Sequence, residues 1–126
     1  MRLRERASGG RDPRAYLVDI RGAIRLLESA VEGCTFDHYQ ADAILRSAVE
    51  RQFITIGEAL SQLLRLEPSL ANSISNARRI IAFRNILVHG YADIAHDIVW
   101  SALQTDMLVL EDEVDELLRT MGKDPV

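Results

Sequence analysis

Val49-Glu50-Arg51-Gln52-Phe53-Ile54-Thr55-Ile56-Gly57-Glu58-Ala59-Leu60-Ser61-Gln62-Leu63 carries the period that decides the fold. Val49, Phe53, Ile56, Leu60 and Leu63 recur in steps of three and four, which lines one face of an α-helix. Asp37 can cap this helix, and Glu67-Pro68 ends it, because the residue before a proline is biased away from the α region. A helix from Asp37 to Leu66 would be on the order of 45 Å long. Gly57 lies in its middle, where glycine costs roughly 0.5–1 kcal/mol relative to alanine. A close crossing with another helix, or a bend, would account for it. Glu58 beside it is either a solvated acid or the partner of an arginine from a neighbouring helix.

The same period appears on both sides. Upstream, Leu17, Ile20, Ile24, Leu27 and Val31 form a stripe, opened by Asp12-Pro13 as N-cap and first helical residue. Gly33 stops it, and Cys34-Thr35-Phe36 make the turn. Downstream, Pro68 to Ser75 is turn-rich. A third helix then spans about Ser75 to His89 with Ile80, Phe83 and Leu87 on one face, and Gly90 suits the left-handed position after its end. Asp93 can cap a last helix, roughly Ile94 to Met121, striped by Leu103, Met107, Leu110, Val114, Leu117 and Met121. Its acidic run, Glu111, Asp112, Glu113, Asp115 and Glu116, reads as solvated surface. Four amphipathic helices, with no strand-like alternation, predict an all-α, up-and-down bundle of four to five helices. Ile98 to Trp100 adds a second apolar side to the last helix, which suggests dimerisation through helices.

Bulk properties agree. The 126 residues suit one domain, with residues 12–126 folded and the Arg-rich, Gly9-Gly10-containing stretch 1–11 as a flexible leader. Apolar runs fall short of the roughly 20 residues that span a bilayer. Cys34 is the only cysteine, so no internal disulfide forms; a buried filler in a reducing cytoplasm is expected. The net charge of −4 argues against coating nucleic acid broadly, but leaves room for a local basic cleft.

Chemistry concentrates in Ala82-Phe83-Arg84-Asn85-Ile86-Leu87-Val88-His89-Gly90-Tyr91. Histidine titrates near neutral pH and can move a proton. Arginine holds a phosphate and stabilises charge as it builds. With RNA the 2′-hydroxyl is an internal nucleophile, so these residue types suit phosphodiester cleavage without a metal or other cofactor. Arg78 and Arg79 could add positive potential. Against this, a histidine near a helix C-terminus is often only a dipole partner, and Arg84 could be a buried ion-pair residue. On one straight helix Arg84 and His89 point about 140° apart. Either His89 swings at a helix end loosened by Gly90, or a two-fold axis brings the residues of two copies together. Asn85, four before His89, lies on its side.

Arg84-Asn85-Ile86-Leu87-Val88-His89 fits the R-x(4–6)-H pattern of HEPN domains, and with Tyr91 the R-x4-H-x-Y form of HepT-like proteins. Ile56-Gly57-Glu58-Ala59, Asp12-Pro13 and Ile98-Val99-Trp100 support the resemblance, which runs from Arg11 to about Thr120. It implies a helical, dimeric, metal-independent ribonuclease with its cleft at the dimer interface. It further implies the toxin of a type VII toxin–antitoxin pair, silenced when an MntA-like nucleotidyltransferase attaches AMP to the motif tyrosine. By position, Arg84 and His89 would be catalytic, Asn85 a polar helper and Tyr91 the modified residue, with RNA as substrate. Ala92 stands where relatives often carry an aromatic, as do the polar residues around Ser75-Asn76. A metal site at His89, Asp93 and His96 requires an unbroken helix across Gly90. The remaining alternative is a non-catalytic HEPN module that binds nucleotides or partners. His38 reads as surface.

Overall fold

The computed structural model describes residues 11–89 and 95–122, and these are helical throughout, without strands. We label the helices α1 (Pro13–Val31), α2 (Phe36–Ala41), α3 (Ala43–Leu66), α4 (Ala77–His89), α5 (His96–Gln104) and α6 (Asp106–Gly122), with a 3₁₀ turn at Pro68–Asn72. The bundle plan expected from the sequence holds. Among the described residues no helix is long and apolar enough to cross a membrane. The expected leader lies, apart from Arg11, outside the described residues. So do Gly90 and Asp93, the expected stop and cap.

Two expected helices are each interrupted once. The second breaks at Asp42, whose carboxylate accepts the amide N–H of Leu45 at 3.0 Å and so caps α3. The cap expected at Asp37 falls instead on Thr35, whose hydroxyl accepts from the His38 amide at 3.1 Å. A polar side chain that satisfies a first-turn N–H competes with helix continuation, so Asp42 starts a helix where simple periodicity would run through it. The last helix breaks at Thr105, between α5 and α6. Other boundaries follow the sequence. Asp12 caps α1 by accepting from the Arg14 amide at 3.0 Å, with Pro13 in the first turn. Gly33 follows α1 at φ 77°, a left-handed conformation that glycine adopts without steric cost.

Helix α3 is the hub. It packs against α1 on one side and α4 on the other; α1 also meets α6, and α5 packs on α6 and α2. Leu17, Ile20, Ile24 and Leu27 of α1 interlock with Val49, Phe53, Ile56, Leu60 and Leu63 of α3, all essentially buried. From the last stripe Leu103, Met107, Leu110 and Val114 are buried as expected, but Leu118 takes the place expected for Leu117. The break at Thr105 resets the helical phase after the first of these residues. Trp100 packs between Phe36 and Tyr39, at ring-centroid distances of 6.2 and 5.3 Å. Burial pushes the Tyr39 hydroxyl up to about 12, with Glu50 adding and Arg46 opposing. Cys34 is half-buried rather than buried.

The acidic run on α6 is only partly solvated surface. Glu113 reaches across to Ser75, accepting from its amide at 3.1 Å and from its hydroxyl at 2.5 Å, and so fixes the approach to α4. Asp115 faces Arg21 of α1 at 4.0 Å. Glu111 meets Glu28 of α1. Its carboxyl is raised to about 7, first by the hydrogen bond to Glu28, then by burial and by the negative charges of Glu28 and Asp115, against the pull of Arg25.

A carboxyl raised in the folded state binds its proton more tightly there than in the unfolded chain. Its contribution is complete below about 4.5, the ordinary value, and is lost as pH rises through about 7. Urea unfolding at a series of pH values should therefore show stability falling over that window. Glu111→Gln should flatten the fall; an unchanged slope in the variant would remove the shared proton as its cause.

Candidate active site

The site is built around one close crossing. Gly57 of α3 faces Arg84 of α4, and a methyl group placed on Gly57 would overlap Cβ and Cγ of Arg84. The mid-helix glycine expected to mark a close crossing does so. Its missing side chain lets the Arg84 stem lie directly on the α3 backbone. From there Nη2 of Arg84 donates to Oε2 of Glu58 at 2.9 Å, and Nη1 donates to Oδ1 of Asn85 at 2.6 Å. The Arg84 side chain is 25% exposed and that of Glu58 is 54% exposed. An ion pair this open contributes about 0–1 kcal/mol to stability, so its main effect is to aim the guanidinium. Nε is buried without a partner. Two of the five N–H donors of the guanidinium are thus engaged, and its outer edge keeps the capacity to hold an oxyanion.

The sequence allowed Glu58 an arginine partner from another helix, and Arg84 is that partner. Asn85, expected as a polar helper, accepts from Arg84 through its Oδ1 and so braces the guanidinium. His89 is the last residue of α4 and is exposed. Helix α4 runs unbroken from Arg84 to His89, and five residues of regular helix set their positions about 140° apart around the axis. Tyr91 lies outside the described residues. His96 opens α5 with its ring edge-on to Tyr39, at 6.5 Å between centroids. Of the three residues weighed and set aside as a metal site, Asp93 lies outside the described residues.

Arg79 does not add open positive potential. Its Nε and Nη2 donate to the two carboxylate oxygens of Asp106, at 3.2 and 2.7 Å, and tie α4 to the start of α6. Arg78 is exposed. Ile86 and Val88 of α4 and Ile98 of α5 are exposed apolar residues. Phe83, Ile98, Ala102 and Met107 line a groove of about 540 Å³ between α4 and the α5–α6 pair.

A second, polar cleft is announced by no motif in the sequence. It lies between α1 and α3, and Arg84 forms part of its wall. Thr55, Glu58, Gln62 and Arg65 recur at three- and four-residue spacing on α3, so a polar stripe opposite the apolar one was the available signal.

Comparison with known proteins bears on the same residues. A family model described as "Ribonuclease HepT-like" matches residues 20–117, which include Glu58, Arg84, Asn85, His89 and Tyr91. A proposed RNase of Caldanaerobacter subterraneus subsp. tengcongensis is 30% identical over 107 residues, covering 85% of this chain and 95% of that protein. A proposed ribonuclease HepT of Thermococcus cleftensis is 27% identical over 111 residues, covering 85% of this chain and 96% of its own. A γ-glutamylcyclotransferase and proposed RNase of Methanocaldococcus jannaschii is 26% identical over 113 residues, covering 90% of this chain and 50% of that longer protein. No solved structure matches the chain.

Gly57→Ala should lower stability despite the better helix propensity of alanine. The added methyl forces an overpacked contact costing typically 1–3 kcal/mol, against a gain of roughly 0.5–1 kcal/mol. The midpoint of urea unfolding should fall at unchanged slope. An equal or higher midpoint would mean that the crossing has room to spare.

Proposed function

The chain belongs to the HepT-like ribonuclease family, and we propose that it is a metal-independent RNA endonuclease acting as the toxin of a type VII toxin–antitoxin system in the cytoplasm. Arg84 and His89 are its catalytic pair, with Asn85 as the polar group that orients Arg84. The observation that carries this reading is the anchoring of Arg84 by Glu58 and Asn85, which leaves donors for a phosphate on the motif shared with the family.

In the proposed reaction His89 accepts the proton of a ribose 2′-hydroxyl. The 2′-oxygen attacks the adjacent phosphorus, the bond to the 5′-oxygen breaks, and a 2′,3′-cyclic phosphate forms. The leaving 5′-oxygen takes up a proton from water, and His89 returns its own proton to solvent. Arg84 offsets the negative charge that builds on the non-bridging oxygens, an electrostatic role for which a pre-aimed donor needs no reorganisation. The divergence of Arg84 and His89 within one helix supports a site shared by two copies, with Arg84 of one opposite His89 of the other. The exposed Ile86, Val88 and Ile98 supply apolar surface for such a homodimer.

His89→Ala should lower cleavage of single-stranded RNA by about 10²–10⁴, the usual contribution of a positioned acid–base group, and EDTA should leave the wild-type rate unchanged. Mixing separately inactive Arg84→Ala and His89→Ala chains should restore activity, because a mixed dimer contains one complete site. Absence of restoration would place the site within one chain. Cleavage that survives His89→Ala would remove His89 from the mechanism, whereas RNA left uncut by the pure wild-type chain would favour a non-catalytic nucleotide- or partner-binding module.

Silencing in this reading is covalent. A nucleotidyltransferase antitoxin resembling MntA joins the Tyr91 oxygen to the α-phosphorus of ATP and releases pyrophosphate. The attached AMP places bulk and a negative phosphate two residues from His89, where it competes with RNA for Arg84. Intact-mass measurement after co-expression with such an enzyme should show an AMP adduct that Tyr91→Phe abolishes. An adduct that persists in the variant would move the modification elsewhere.

A further inference from the structure

We propose that the cleft between α1 and α3 is a nucleotide subsite, holding a base and phosphate of single-stranded RNA beside the bond to be cut. This rests on the ribonuclease reading above. The cleft is about 450 Å³ in volume, and Arg84 is one of its walls. A phosphate held by Arg84 therefore sits at its edge, and the neighbouring nucleotide has this space to enter. The volume suits one nucleotide and not a duplex.

The lining has the groups that a nucleotide uses. Tyr16 of α1 is half-buried, and its ring already carries a flat cation: the Arg11 guanidinium lies 4.8 Å from its centroid. A base can take that face, since every base has a π surface and stacks on aromatic rings. Arg11 is also bonded to Asp19 at 2.6 Å, which holds it at the rim when the ring face is taken. From α3, Gln62 offers its amide to a base edge or a ribose, and Thr55, whose hydroxyl donates to the Arg51 carbonyl at 3.1 Å, offers an acceptor. Arg65 donates to Gln62 at 3.2 Å, a contact within one helix that a phosphate can replace. The lining sets Arg11, Arg65 and Arg84 against Asp19 and Glu58, so the cleft is net positive by one charge (three less two) in a chain whose net charge is −4.

The subsite also gives the polar stripe of α3 a purpose. The apolar stripe packs the core, and Thr55, Gln62 and Arg65 face the cleft rather than open solvent alone.

Binding should be read in the full chain carrying His89→Ala, to prevent cleavage, by fluorescence anisotropy with a single-stranded RNA octanucleotide at one fixed salt concentration. Adding Tyr16→Leu or Arg65→Ala should weaken binding about tenfold, the scale of one lost base stack or phosphate contact. Arg119→Ala, on α6, should change it less than twofold. Thermal unfolding followed by circular dichroism checks each variant, and Gln62→Ala serves as a further probe if Tyr16→Leu does not fold. Unchanged octanucleotide affinity in the cleft variants overturns the subsite. So does an equal loss with Arg119→Ala, which would mean diffuse charge attraction. If AMP alone binds as tightly as the octanucleotide and is weakened equally by Tyr16→Leu, the cleft is a free-nucleotide pocket and the RNA assignment falls. Cleavage by the unsubstituted chain is scored separately. RNA that is cut normally while the cleft variants bind unchanged defeats this inference alone; RNA that is never cut defeats the ribonuclease reading.

Discussion

The contact between the α3 backbone at Gly57 and the stem of Arg84 sets the geometry of this protein. Helices normally keep their axes 8–10 Å apart because side chains stand between them. Here one side chain is missing, and a charged residue with a long aliphatic stem fills the gap. The apolar part of the arginine packs on the hub helix while its guanidinium emerges between Glu58 and Asn85. An arginine on an open helix face would sample many rotamers. This one has its stem held by packing and its head by two charge-assisted or polar bonds, so the guanidinium is aimed in one direction.

The position of α4 depends on more than that crossing. Glu113 holds Ser75 just ahead of its first turn, and Asp106 holds Arg79 along its flank. Both acids belong to α6, so the acidic last helix positions the helix that carries the motif. These are partly exposed contacts, each modest in free energy. Their combined effect is directional: they fix the rotation of α4 about its own axis. That rotation decides which residues of the motif face α3 and which face outward. Arg84 faces inward, and His89 at the end of the same helix is exposed. Five residues of regular helix separate the two, so α4 presents them in different directions.

Much of the core was legible from residue spacing. The stripes on α1 and α3 are buried as the three-and-four period requires, because burying one face is the dominant favourable term for an amphipathic helix. The glycine at 57 was legible as a close approach, since its entropic cost needs a compensating contact. The breaks at Asp42 and Thr105 were not. Aspartate and threonine are tolerated within helices, and only the competition between local side-chain bonds and the packing of neighbouring helices decides where the chain stops. Leu118 replaces Leu117 for the same reason: a break upstream changes which side of the helix meets the core. The acids of α6 read as solvated because spacing cannot say what stands opposite them.

Residue spacing alone specifies the helical bundle, its buried stripes, and a motif whose arginine and histidine lie on opposite-leaning faces of one helix. Those properties follow from periodicity and residue chemistry, which are local. The tertiary structure decided that Arg84 lies on Gly57 and points to Glu58, that Asn85 serves Arg84, and that Tyr16 and Arg65 share a cleft with it. Each of these joins residues distant in the chain or fixes one rotamer among several. Helical spacing specifies the face on which a residue lies, whereas the packing of a second helix specifies what that face meets.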